Sequence, residues 1–462
     1  MTEILLSAPD GPTIPVSILA EGDLAGLSPF ELGLATTAEF RGKAGQLLAV
    51  PGEDGKTVRL LFGLGEPGKA EAMLFRGLSA RLPAGDYHLE NLPDSLDPTQ
   101  VATAFALGGY RFDRYRKKRD AQPRLVSPAG GNLAEARETA HACALAKDMV
   151  NTPANDMGPL QIETIAREIA GRHGATFSVI SGDDLLEQNY PSVHAVGRAA
   201  DPARAPRMIE LRWGQAGDPL VALVGKGVVF DTGGLDIKPS AGMRNMKKDM
   251  GGAAHVLALA RMIMAAGLPV RLAVLVPVVE NAISGDAMRP GDVLDTRKGL
   301  TVEVGNTDAE GRLILSDALT RAGELEPVLT IDMATLTGAA RIALGPQVIP
   351  FFTDDEALAD EIAAASRAVS DPLWRLPLWP GYEEALDGDL ADLKNDPDGW
   401  AQAGSVTAAL FLKRFAPSGS WVHLDIFAWN PKGRPGYPVG GEAQAIRALY
   451  SVLKTRFGKT AR

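Results

Sequence analysis

Two stretches of the chain carry charge that no obvious structural task requires: Gly225–Ala254 (GKGVVFDTGGLDIKPSAGMRNMKKDMGGAA) and Asn306–Leu313 (NTDAEGRL). They place Lys226, Asp231, Lys238, Asp249, Asp308, Glu310 and Arg312 in segments with the composition of strand ends and helix starts, from which side chains converge on ligands. Four carboxylates brought together repel and desolvate one another, so a buried cluster needs cations, most simply divalent metals. Oxygen donors without clustered histidine or more than the single Cys143 favour Mg, Mn or Zn in a carboxylate-rich site. Two metals about 3.5 to 4 Å apart need bridging carboxylates, and Asp231 and Glu310 are the candidates. Lys226 ligates only as a free amine, a state that an adjacent dication enforces; on these residues alone it reads first as a counter-ion to Asp231. Asp308 and Glu310, two apart, share a side of an extended segment. The same letters also read as a helix start, with Asn306 or Thr307 as N-cap and acids in the first turn.

These residues need a scaffold. A chain of 462 residues exceeds the size at which one core stops growing, so two domains are expected. Residues 1–130 alternate short apolar strands (Ile14–Leu19, Gln46–Val50, Val58–Leu64) with helical stretches such as Pro98–Tyr110, the pattern of a small α/β domain. After the Pro123, Pro128 and Gly130-Gly131 punctuation, Leu133–Val150 has helical spacing and stops at Asn151-Thr152-Pro153, so residues 131–150 are expected to form a connecting helix. Residues 151–462 then alternate helices (Gln161–His173, Ala253–Ala266) with buried strands (Leu220–Val224, Val270–Val279, Val328–Met333). That predicts a mixed, mostly parallel sheet sandwiched by helices, with ligands beyond the carboxyl ends of its strands.

Composition narrows the function. Hydrophobic content of 45% and charged content of 23% are those of an ordinary globular protein, and a net charge of -10 argues against a broad nucleic-acid-binding surface. The basic run Arg114–Arg119 (RYRKKR) reads as a solvated face before it reads as an anion patch. The start of the sequence lacks the pattern of a secretion signal, and no apolar run approaches the roughly 20 residues of a membrane span. With one cysteine, a reducing, cytoplasmic setting is expected. HExxH, P-loop, strand-to-helix GxGxxG and plausible GxSxG motifs are missing; His255 and His423 read as packing residues.

The blocks GKGVVFDTGGLDIKP, MKKDMGGAA, NTDAEGRL and DMATLTGA, in this order and at these separations, resemble the signatures of the leucyl aminopeptidase family of two-metal exopeptidases. The resemblance spans about residues 145–430 and takes in VNTPAND, DPLWRLPL, ADLKND, AGSVTAALFLKRF and WVHLDI. It implies that Lys226, Asp231, Asp249 and Glu310 hold the tighter metal, and that Asp231, Asp308 and Glu310 hold the more exchangeable one, zinc or manganese. It further implies that Lys238 stabilises the oxyanion, that Arg312 holds a bicarbonate general base, and that Met246, Asn306, Thr335, Gly338, Phe427 and Asn430 line the substrate site. The implied substrates are peptides with a free N-terminus, and the implied assembly is a homohexamer.

The chain departs from the family pattern at two places. Asp236 stands where a small residue is usual, two before Lys238, so an ion pair between them would dampen the oxyanion role; a structural Asp236 is the expected alternative. Phe427-Ala428-Trp429-Asn430 replaces a run of small residues, which predicts a narrowed or reshaped pocket for the N-terminal side chain. The Gly- and Pro-rich stretch after Asn430 is expected at the rim of the site. Rival readings are a non-catalytic or DNA-binding relative of the same fold, and a two-metal phosphoesterase. The latter would need more arginines than Arg312.

Overall fold

A computed structural model of the chain describes residues 4–117, 121–397, 400 and 402–458. It divides into two compact units, Met1–Ala144 with Pro431–Val439, and Leu145–Asn430 with Gly440–Arg462. The division falls inside the helix Leu133–Asn151. Segment Pro431–Val439, the start of the Gly- and Pro-rich stretch, groups with the first unit.

In the first unit, strands β1 (Leu5–Leu6), β2 (Ile14–Ala20), β3 (Leu47–Pro51), β4 (Thr57–Gly65), β5 (Gly85–Glu90) and β6 (Pro123–Val126) form a sheet in the order β1-β6-β5-β2-β4-β3. All pairings are parallel except β3 with β4. The expected helix over 98–110 runs Pro98–Gly108, started by Pro at its first turn and by Asp97, whose side chain accepts from the Gln100 N–H. Of the basic run, Lys118 and Arg119 lie outside the described residues.

The second unit is built on strands β7 (Thr176–Ser181), β8 (Arg207–Trp213), β9 (Leu220–Gly225), β10 (Gly227–Asp231) and β11 (Arg271–Asn281). A small sheet combines β12 (Val293–Asp295) and β13 (Thr301–Glu303) with β17 (Leu393–Lys394). Strands β14 (Leu329–Ala334), β15 (Ile349–Phe352), β16 (Leu373–Arg375), β17 (Leu393–Lys394) and β18 (Ser420–Asp425) follow. The large sheet runs β16-β15-β18-β14-β9-β11-β8-β7, with β10 also paired to β11. Pairs β18/β14, β14/β9, β9/β11 and β10/β11 are parallel, and β11/β8 and β8/β7 antiparallel, which is the mixed, mostly parallel sheet expected.

Every residue of β9 and β14 is buried. Helices therefore cover both faces, which is why these strands read as unbroken apolar runs. Helix Gly251–Ala265, apolar nearly all round, packs on β9, β14 and β11, and helix Glu310–Gly323 on β9 and β11. No described helix is long and apolar enough to cross a membrane.

Candidate metal centre and cavity

The strand β11 is long enough to pair with β9 over its first half and with β10 over its second. Lys226 sits at the break between those two strands. Its N–H donates to Met333 O at 3.1 Å, and its carbonyl accepts from Ala253 N at 2.8 Å, so backbone bonds to a strand and a helix hold it on both sides. Beyond Asp231, the last residue of β10, the chain reverses through Gly233 (φ 87°) and Gly234 (φ 66°), left-handed conformations that glycine adopts without penalty. The reversal brings Lys238 N to Thr232 O at 2.9 Å. Asp249 follows the short turn Met246–Lys248, and Glu310 is the first residue of its helix.

These residues meet. Lys226 Nζ lies 2.8 Å from Asp249 Oδ2 and 2.9 Å from Glu310 Oε1, and donates to Thr335 O at 3.0 Å. Lys238 Nζ lies 2.7 Å from Asp231 Oδ2 and also contacts Asp308 Oδ1. Asp231, Asp308 and Glu310 each bring one oxygen within 4.8 Å of the others. Asp231 Oδ1 is fixed by the Gly233 N–H at 2.9 Å and Asn281 Nδ2 at 2.8 Å.

Charge does not balance within this cluster: four carboxylates face two ammonium groups. Burial, with Asp231 and Asp249 nearby, pushes Glu310 up to about 8, and burial with Asp231 pushes Asp308 up to about 6. Burial also raises Asp249. For Lys226, burial disfavours the charge, but Asp249, Glu310 and Asp231 outweigh it and hold the amine above its usual range. The close approaches of Lys226 to Asp249 Oδ2 and Glu310 Oε1 lack hydrogen-bond angles, and these oxygens, together with Glu310 Oε2 and Asp308 Oδ1, are buried without a hydrogen-bond partner. Four carboxylates that share two ammonium groups, with Glu310 Oε2 buried and without a hydrogen-bond partner, are the donor set of a carboxylate-rich divalent site. The donor set fits two such ions.

The cluster forms part of a cavity of about 670 Å³, lined also by Met246, Lys248, Asn306, Arg312, Thr335, Gly338, Arg341 and Phe427. Glu310 lies beneath the lining, 1% exposed. Asn430 is buried in a two-stranded ribbon opposite Gly440 and does not line the cavity. Arg312 Nη1 donates to Asn395 O, while its buried Nε has no partner.

Two readings of the sequence are refined by local geometry. Asp236 does not pair with Lys238; its Oδ2 accepts from Thr307 N at 2.8 Å and Thr307 Oγ1 at 3.1 Å, tying the lysine's loop to the Asp308 loop. NTDAEGRL is neither an extended segment nor a helix capped by Asn306 or Thr307. Ala309 precedes the helix without a side-chain cap, and Asn306 Oδ1 instead accepts from Asp308 N at 2.8 Å within a turn. Sequence reasoning missed Asn395, whose Oδ1 accepts from Gly305 N at 2.8 Å and whose Nδ2 donates to Asn306 O at 2.7 Å, so that it holds this turn. Its only signal was its place in the block ADLKND. His255 and His423 are fully buried: His255 Nδ1 bonds Gly251 O at 2.6 Å, and His423 Nδ1 bonds Asp332 at 2.5 Å.

The chain is similar to known proteins over most of its length. Residues 144–450 match the cytosol aminopeptidase family, catalytic domain, and residues 24–128 match the M17 aminopeptidase, N-terminal domain. The second match extends the likeness beyond the 145–430 legible from motifs. A probable cytosol aminopeptidase of Syntrophotalea carbinolica is 39% identical over 90% of this chain and 89% of its own length. The crystal structure of cytosol aminopeptidase from Coxiella burnetii is 41% identical with a TM-score of 0.92, covering 98% of this chain and 99% of that one. The bottromycin maturation enzyme BotP in complex with Mn is 36% identical with a TM-score of 0.87, over 96% and 99%.

Proposed function

The chain belongs to the cytosol aminopeptidase family and is a metal-dependent aminopeptidase, and on that premise we propose how its residues divide the work. Lys226, Asp231, Asp249 and Glu310 hold one divalent ion, and Asp231, Asp308 and Glu310 the other. The observation that carries this is the convergence of Asp231, Asp308 and Glu310, each with one oxygen within 4.8 Å of the others, with Glu310 Oε2 buried and without a hydrogen-bond partner. When bound, the pair of ions supplies Lewis-acid polarisation of the scissile carbonyl and a water acidic enough to attack near neutral pH. The manganese of the BotP complex supports manganese as one usable metal, with zinc the other, since these donors accept both.

The remaining roles follow from position. Lys238 is 14% exposed at its side chain and borders the cavity beside Asp231, so its ammonium is placed to meet negative charge that develops on the carbonyl oxygen. Arg312 keeps an unpaired Nε beside the same cavity. A guanidinium lining the cavity is a group that can hold a small planar anion, and bicarbonate held by it would be the general base that the family resemblance implies. Met246, Thr335, Gly338 and Phe427 form the wall for the N-terminal side chain, with Asn306 at the cluster's edge. Substrates are peptides with a free N-terminus, and the cytosolic names of the relatives support a cytoplasmic setting.

Chelation followed by dialysis is expected to abolish release of N-terminal residues from amino-acid amides, and addition of Zn or Mn to restore it. Full turnover at metal contents far below one ion per chain would contradict the assignment.

A further inference from the structure

The cavity contains cationic charge that the reaction does not use. Lys248 closes the turn Met246–Lys248 immediately before Asp249; it is 8% exposed and lines the cavity. Its ammonium lies 5.0 Å from the centre of the Phe427 ring, and the guanidinium of Arg341, an exposed residue of helix Gly338–Leu344, lies 5.5 Å from the same centre. Among the described residues neither cation comes within 4.0 Å of a carboxylate, and neither side chain has a hydrogen-bond partner. Nearby acids are committed elsewhere. Asp249 faces Lys226 and accepts from Thr335 Oγ1 at 2.8 Å, and Asp425 accepts from Leu336 N, Thr337 N and Thr337 Oγ1.

Lys248 is buried along its stem, and its ammonium faces the cavity over a ring face with no counter-charge, so an anion bound there gains from it. Its setting says what that is. Met246, Thr335, Gly338 and Phe427, the wall assigned to the N-terminal side chain, line the same cavity as Lys248 and Arg341. An apolar side chain there would displace water from Lys248 and leave it unpaired, and a basic one would be repelled. A carboxylate at the end of a short side chain would meet one or both cations while its methylenes lie against Phe427.

We propose that this corner of the cavity selects an acidic N-terminal residue, aspartate or glutamate, with Lys248 as the specificity-determining cation and Arg341 assisting at the rim. This rests on the aminopeptidase reading and names the substrate class of that site. The Phe427 ring sets the room available, and the two cations set the charge.

The test is kcat/KM of the Mn-loaded enzyme on the α-anilides of Glu, Asp, Leu and Lys. These carry no C-terminal carboxylate, so a preference among them reports on the side chain alone. Glu or Asp is expected to exceed Leu by at least about tenfold. Lys248→Met is expected to lower the Glu-to-Leu ratio by about thirtyfold or more, the scale for truncating one partner of a desolvated charge pair, and Lys248→Arg to recover part of it. Arg341→Gln, at an exposed position where folding is not at stake, is expected to lower the ratio about two- to fivefold. Free glutamate should inhibit competitively at lower concentration than leucine, and Lys248→Met should remove that advantage. Wild-type preference for Leu over both acids would overturn the proposal, as would Lys248→Met slowing Glu and Leu substrates equally. Absence of turnover on every anilide, with neither amino acid binding, would remove the aminopeptidase reading and this proposal with it.

Discussion

Glu310 is the residue on which the proposed centre depends most. Its two oxygens are buried and lack hydrogen-bond partners, one of them 2.9 Å from Lys226 Nζ, and its carboxylate belongs to both proposed ligand sets. Glu310→Gln keeps the shape but withdraws a bridging charge. It is therefore expected to abolish turnover and to weaken both metal positions, read as metal content after dialysis; retention of two ions at wild-type affinity would refute the bridging role. Asp236 illustrates the converse. Its type and its spacing from Lys238 permit an ion pair, yet the Thr307 N–H and hydroxyl lie closer to hand, and a carboxylate is better satisfied by two fixed donors than by one mobile ammonium already shared with Asp231 and Asp308.

At the scale of elements, the centre depends on how closely helix Gly251–Ala265 approaches the sheet. A side chain at Gly252 would place its Cβ 2.1 Å from Met333 O and 2.7 Å from Lys226 N, so only glycine allows the helix to begin there. That approach aligns Asp249, just before the helix, with Lys226 at the strand break. Gly252→Ala is expected to destabilise the unit by about 1–3 kcal/mol, measured as a lowered urea midpoint. It should also reduce turnover more than the stability loss accounts for, because Lys226 moves with the strand. Unchanged turnover at an unchanged midpoint would show that the contact relaxes without consequence. The turn at Asn306–Ala309 has a comparable dependence on Asn395, about 90 residues away in sequence, whose Oδ1 accepts from Gly305 N and Asn306 N and whose Nδ2 donates to Asn306 O.

For the whole molecule, assembly is the open question that its surface addresses. Ile342 is 80% exposed, Leu390 76%, Trp374 64% and Trp379 57%, all in the unit that carries the centre. We propose the homohexamer that the family resemblance implies, with these side chains as candidates for its contacts. Sedimentation velocity is expected to give a mass six times that of the 48.7 kDa chain, and Trp379→Glu to shift it toward smaller species. A monomer at micromolar concentration would contradict the hexamer.

What the sequence determined by itself was the family, the fold class and a set of charged residues that come together. Periodicity located the buried strands, and the charged blocks named the residues that meet in one cavity, because ligand atoms must come from particular residue types at particular strand ends. The N-terminal domain's kinship was beyond this reading, since its residues are constrained by packing and many apolar choices pack equally well. Tertiary structure alone decided which polar groups are left without partners. Whether Asp236 meets Lys238 or Thr307, whether Asn430 faces the cavity, and whether Lys248 finds a counter-charge depend on segments remote in the chain. Spacing along a sequence carries no information about distances that are set only when separate loops are packed together.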